Sequence, residues 1–176
     1  MNFIVTKEKQ EEFSEVEKVV EEAFKEAEFT DHNEHNLVKK LRNSSAFISD
    51  LSLVAKIDNK IIGHILYTEL NIMEGDKRRK ALALAPLAVL PEFQGKAVGS
   101  KLVRESLEKA KELGYGGVIV LGHENYYPKF GFIPAWKYGI KAPFDVPEDA
   151  FMALELKKDY FKNVNGTVEY SKEFFE

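Results

Sequence analysis

Apolar residues at Phe13, Val16, Val20, Phe24 and Ala27 recur at spacings of three and four, which predicts an amphipathic helix behind a short strand at residues 3–5. A second helix is expected where Leu37, Val38 and Leu41 share a face, with Asp31 and Glu34 at capping-box spacing before it. Two β-rich segments, residues 52–57 and 60–70, meet at Asp58-Asn59, a pair suited to a tight hairpin turn. A loop at Glu74-Gly75-Asp76 and a strand over residues 81–90 come next. Residues 98–113 hold the clearest helical pattern, with Val98, Leu102, Val103, Leu107, Ala110 and Leu113 on the inner stripe and Gly114 as the stop. A buried strand over residues 117–121, a one-turn helix carrying Tyr126 and Tyr127, and strands over residues 151–156 and 167–170 complete the pattern.

A strand–helix–strand crossover between residues 81 and 121 is right-handed, so its two strands should run parallel, while the other connections are hairpin-like. The expectation is an α/β fold of mixed, α+β-like kind: one largely antiparallel sheet with helices on both faces, in a single domain over residues 1–176. Pro86 has no N–H for a ladder, so pairing in its strand should be interrupted. Two parallel strands that part there leave backbone groups facing a cleft, where an amide-bearing ligand can dock as a pseudo-strand. A plain edge strand with no cleft is the alternative.

Composition narrows the function. The 176 residues are 44% hydrophobic and 31% charged, as in an ordinary soluble globule. A net charge of −4 weighs against a nucleic-acid surface, and the one basic cluster, Lys77-Arg78-Arg79-Lys80, reads as a solvated loop. The absence of cysteine excludes disulfides, thiolate zinc sites and a cysteine nucleophile, and fits a reducing cytoplasm. No signal-peptide pattern opens the chain, and its longest apolar run, residues 81–90, is half a membrane span. A soluble, cytoplasmic protein without a membrane partner is therefore expected. His32 and His35 lack a third defined ligand, and no metal is expected.

The chemistry concentrates where Leu87, Ala88, Val89 and Leu90 stop at Pro91 and a glycine-bearing loop opens the best helix. That order aims unpaired N–H groups and the positive end of the helix dipole at one point, suited to an anion with several phosphate oxygens. Within the loop stands Gln94-Gly95-Lys96-Ala97-Val98-Gly99, and about thirty residues on Tyr126-Tyr127-Pro128-Lys129-Phe130-Gly131-Phe132. Together with Gly63-His64-Ile65-Leu66 and Phe151-Met152-Ala153-Leu154-Glu155-Leu156, these segments resemble the GNAT superfamily of N-acetyltransferases, in particular its YhbS-like members. The superfamily's pyrophosphate motif is Gln/Arg-x-x-Gly-x-Gly/Ala, and Ala97 stands where its first glycine is usual. At positive φ, Ala97 would cost on the order of 1 kcal/mol relative to glycine.

The resemblance implies acetyl-CoA as acyl donor and an amine as acceptor, with a homodimer left open. The donor's pyrophosphate would sit on the amides of Gln94, Gly95, Lys96, Ala97, Val98, Gly99 and Ser100, and its pantetheine arm against Leu87, Ala88 and Val89. Asn125, Tyr127 and Phe130 complete the implied cofactor contacts. Acetyl transfer needs a neutral amine, a polarised thioester carbonyl, a stabilised oxyanion and a protonated leaving thiolate. Without cysteine, direct attack in a ternary complex is favoured. Tyr127 matches the family tyrosine and is the candidate acid toward the sulfur, with a phenol pKa near ~10. Glu69 and His64 are candidate bases, beside a water relay. An N-acetyltransferase is the leading function; a catalytically silent acyl-CoA sensor is the alternative, suggested by Ala97 and the lack of an evident base.

Overall fold

Both residues of the Asp58-Asn59 turn take positive φ (48° and 69°), closing the hairpin that starts the central sheet. The computed structural model of the chain describes residues 1–28 and 30–176. In chain order its strands are β1 (Ile4–Lys7), β2 (Phe47–Ile57), β3 (Lys60–Glu74), β4 (Lys77–Val89), β5 (Gly117–Leu121), β6 (Ile133–Pro134), β7 (Ile140–Lys141), β8 (Phe151–Glu155) and β9 (Gly166–Glu169). They form one sheet in the order β1-β2-β3-β4-β5-β8-β6, and β9 pairs with both β3 and β7. Every pairing is antiparallel except β4 with β5, the expected crossover, and β7 with β9.

Helices α1 (Phe13–Phe24) and α2 (Glu34–Arg42) cover one face and α3 (Val98–Glu112) the other. Alternation along β3 makes that division. Gly63 faces α3 so closely that a Cβ there would lie 3.1 Å from Leu102 Cδ1, and the Tyr67 hydroxyl meets Ser106 Oγ of α3 at 2.8 Å. His64, between them, turns to the opposite face. The buried stripe of α3 runs Val98, Leu102, Val103, Leu107 and Ala110, as the periodicity predicts, but Leu113 falls past the helix end at Glu112 and is exposed instead of buried. Each fully buried valine or leucine on the stripe stabilises the fold by about 1.5–3 kcal/mol relative to exposure.

Three local expectations are corrected. Helix α2 starts at Glu34 behind Asn33, not at an Asp31 cap; Asp31 Oδ1 instead accepts the Asn33 N–H at 2.9 Å, and the Thr30 hydroxyl bonds Glu34. Helix α1 stops at Phe24, leaving Ala27 outside it. Lys77, Arg78, Arg79 and Lys80 are not a loop. They open β4 opposite Asn71, Ile72, Met73 and Glu74, because a turn at Gly75-Asp76 is short enough for the hairpin to run beyond the core. Arg79 there lies over the Tyr160 ring, 5.1 Å from its centroid, and Lys80 Nζ is 3.0 Å from Glu69.

The decisive irregularity falls around Pro86. Ile65 pairs with Leu87 and Tyr67 with Leu84, so β4 carries an extra residue in this stretch. Parallel pairing of β4 with β5 is confined to Leu82 with Val118 and Ala83 with Ile119. Beyond Ala83, β4 keeps β3 and parts from β5.

Candidate functional site

Beyond that fork, the backbone of β4 has one free edge. The Leu90 N–H donates to Ile62 O at 2.9 Å, so the carbonyl on the other side of that peptide, Val89 O, points away from β3. Strand alternation turns the backbone groups of Leu87 and Val89 to the open edge and those of Ala88 toward β3. Val89 O already accepts a bond from Gln94 Nε2 at 3.1 Å. One loop residue thereby fastens the strand to the turn that follows.

That turn consists of a single 3-10 turn, Pro91–Phe93, then exposed Gln94, Gly95, Lys96 and Ala97. Gly95 (φ 75°) and Ala97 (φ 65°) are both left-handed, the latter as the residue that caps α3. No side chain caps the helix, and its first turn contains no acidic residue. Its leading N–H groups and positive dipole end are therefore offered outward without an internal counter-charge. A Cβ on Gly95 would meet nothing within 4 Å, so nothing covers the loop. These residues fit a diphosphate. Val98 itself is buried against Gly63, while Gly99 and Ser100 are half-exposed.

The two tyrosines divide the rest of the site. Their rings are 5.1 Å apart at 86°. Tyr127 is 8% exposed and packs edge-on to Phe132; burial, then the nearby Tyr126, holds its hydroxyl well above the usual phenol range. Tyr126 leans the other way: a Cβ on Gly99 would lie 2.7 Å from its hydroxyl oxygen. Burial raises the Tyr126 pKa, against a Ser100 hydrogen bond and the Arg104 charge. Tyr126 is given no chemical role from the sequence, yet its hydroxyl reaches the first turn of α3. Adjacent tyrosines carry no pattern that says which one turns outward.

The candidate bases sit apart. Glu69 lies on the α3 face of β3, opposite Leu82, within reach of Lys80; Tyr115 is raised by burial and then by Glu69. His64 is fully buried on the opposite face. Its Nε2 is 3.0 Å from Ser52 Oγ, which donates to Glu8 Oε1 at 2.8 Å. Arg42 closes the network onto Glu8 (2.6 Å) and Glu17 (2.5 Å). Burial, then the Arg42 charge, pushes His64 down to about 3, so the imidazole is neutral. Because the Ser52 proton goes to Glu8, Ser52 accepts from Nε2–H, leaving Nδ1 as a bare acceptor without a partner.

Asn125 is exposed on the turn before the tyrosines, and Lys96 Nζ lies 5.8 Å from the Phe93 ring. Phe130 packs against Tyr126 at 5.4 Å and carries the Arg104 guanidinium 4.9 Å above its ring. Among the described residues, no group of three or more metal-ligating side chains comes together, and no helix is long and apolar enough to cross a membrane.

A fork between parallel strands, leading to an uncapped helix start, is the arrangement of an acyl-CoA N-acyltransferase fold. The model of the GNAT acetyltransferase family matches residues 9–132, and the chain belongs to that family. It is 32% identical to the uncharacterised N-acetyltransferase YhbS of Escherichia coli over 147 residues, covering 83% of this chain and 86% of YhbS. It is 40% identical to a second, YjhQ, over 117 residues, covering 66% of this chain and 65% of YjhQ. The crystal structure of Escherichia coli YhbS in complex with CoA superposes with a TM-score of 0.89 at 26% identity, covering all of this chain and 93% of that one. A GNAT acetyltransferase from Brucella melitensis in complex with acetyl-CoA gives 0.80 at 30% identity, covering 98% of each chain.

Proposed function

We propose that this protein transfers an acetyl group from acetyl-CoA to a primary amine of a small molecule or peptide, by direct attack in a ternary complex. The observation that carries the proposal is the end of β4–β5 pairing at Ala83 and Ile119, with β4 then running free to an exposed, uncapped α3. The CoA and acetyl-CoA complexes of the relatives support it.

In this reading the free edge of Leu87 and Val89 takes the donor's pantetheine amides, and the residues from Gln94 to Ser100 take its diphosphate. The donor supplies the activated thioester; the chain supplies position and proton handling. Tyr127, kept protonated by its surroundings, holds the proton for the departing sulfur. Glu69 is the remaining side-chain base candidate, alongside water. His64 is given a packing role, because no substrate reaches a fully buried ring. That burial also favours a second reading, an acyl-CoA sensor without turnover. A cytoplasmic location is part of the proposal.

Calorimetry with acetyl-CoA should show saturable binding; none at millimolar ligand would remove the donor assignment. Free-thiol release with a panel of amines separates enzyme from sensor. Tyr127→Phe should lower kcat by roughly a hundredfold with donor affinity retained, the pattern of a group used only in the chemical step. Unchanged turnover would take Tyr127 out of the mechanism.

A further inference from the structure

Two cations beside the start of α3 stand without counter-charges. Arg104 is one turn below Ser100 on α3, and Lys129 follows the tyrosine pair. The Arg104 guanidinium lies 4.9 Å from the Phe130 centroid; Lys129 Nζ lies 4.1 Å from the Tyr126 centroid and 5.3 Å from that of Phe130. The Tyr126–Phe130 ring pair thus carries both cations over its rings. Among the described residues neither cation pairs with a carboxylate, whereas Lys101 and Lys111 on the same helix pair with Glu105 and Glu108. The first turn of α3 offers no acid to offset these charges either. Positive potential therefore accumulates here beyond what a single diphosphate at the loop uses.

We propose that Arg104 and Lys129, held over the Tyr126–Phe130 pair, bind the phosphomonoester on the donor's ribose and so select CoA over its 3′-dephospho form. The inference rests on the acyl-CoA reading. The ribose phosphate of CoA lies only a few bonds from the diphosphate, and Tyr126 spans the same interval, its hydroxyl at Gly99 and its ring under Lys129. Guanidinium and ammonium groups are the side chains that bind phosphate by charge-assisted hydrogen bonds.

Calorimetry on the intact protein with CoA and with 3′-dephospho-CoA tests this. The wild type should bind CoA about tenfold more tightly, the size of one charge-assisted contact. The double substitution Arg104→Gln with Lys129→Gln should lower CoA affinity to the dephospho-CoA value and leave dephospho-CoA binding unchanged. Lys109→Gln with Lys111→Gln, which removes equal charge farther along α3, should keep the preference. Equal wild-type affinities, or a preference surviving in the double variant, would overturn the proposal while leaving the acyl-CoA reading intact. Binding of neither ligand would instead bring down that reading, and this inference with it.

Discussion

The two faces of β3 spend their polar groups in opposite ways. On the α1–α2 face, Glu8, Arg42, Ser52 and His64 are withdrawn from water and bonded to one another, with side-chain exposure of 1% for Glu8 and 5% for Arg42. On the α3 face, the loop from Gln94 to Ala97 is exposed, twice left-handed, uncapped and bare of acids. A closed network gains specificity by leaving few alternatives to its donors and acceptors. An open one keeps donors for something that arrives later. Partnering thus separates structural polarity from polarity available for binding, and the difference can be tested at each end.

The largest effect should come from the closed side. Arg42→Met would leave Glu8 buried opposite no cation and strip Glu17 as well, costing about 3–5 kcal/mol in urea unfolding. CoA affinity of the folded protein should stay unchanged, because the network touches no loop residue. A loss below about 1 kcal/mol would show that the pair is solvated.

Acid should find the same side. His64 is neutral in the fold down to about 3, whereas its unfolded counterpart takes up a proton near 6.5. Between those values the unfolded state binds the extra proton, so stability falls as pH falls, by about 1.4 kcal/mol per unit. His64→Gln keeps a donor for Ser52 and removes the titration, and should flatten that slope between pH 6 and 4 as followed by denaturant midpoints. An identical slope in the variant would assign the acid sensitivity to the carboxylates.

On the open side the effects are smaller. Gly99→Ala places a methyl group 2.7 Å from the Tyr126 hydroxyl oxygen, so the ring must shift over the loop. CoA affinity should fall roughly tenfold, within the usual cost of forcing a methyl into contact. Tyr126→Phe removes that oxygen, and the double variant should bind like Tyr126→Phe alone. Additive losses would break the link between the two residues.

Much of the open side could be read in advance, and little of the closed side. Pro86 announced the parted strands, and the order apolar run, proline, glycine loop and helix announced the uncapped start of α3, because backbone constraints are local. The network of His64 joins Glu8, Arg42 and Ser52, brought together only when β2, β3 and α2 pack. His64 alternates with apolar neighbours, so periodicity showed that it turns inward but not what it meets. Which of Tyr126 and Tyr127 turns its hydroxyl toward α3 was set only by the packing of the turn. Arg104 carries no sequence pattern of its own, since its missing partner is a property of neighbours in space.

The smallest effect asks whether the loop's openness has an energetic cost. Ala97 holds φ at 65°, a region that disfavours any Cβ, in a segment otherwise free of packing. Ala97→Gly relieves that strain but frees more conformations in the unfolded chain, and the two terms oppose each other. The relief should win by about 0.5 kcal/mol, seen as a higher urea midpoint with unchanged slope. The equivalent gain should not appear at an exposed alanine in ordinary helical conformation, where glycine only loses. A midpoint that falls at Ala97→Gly would mean that the loop relaxes away from this conformation when free. The open side would then owe its shape to the ligand instead of to the chain.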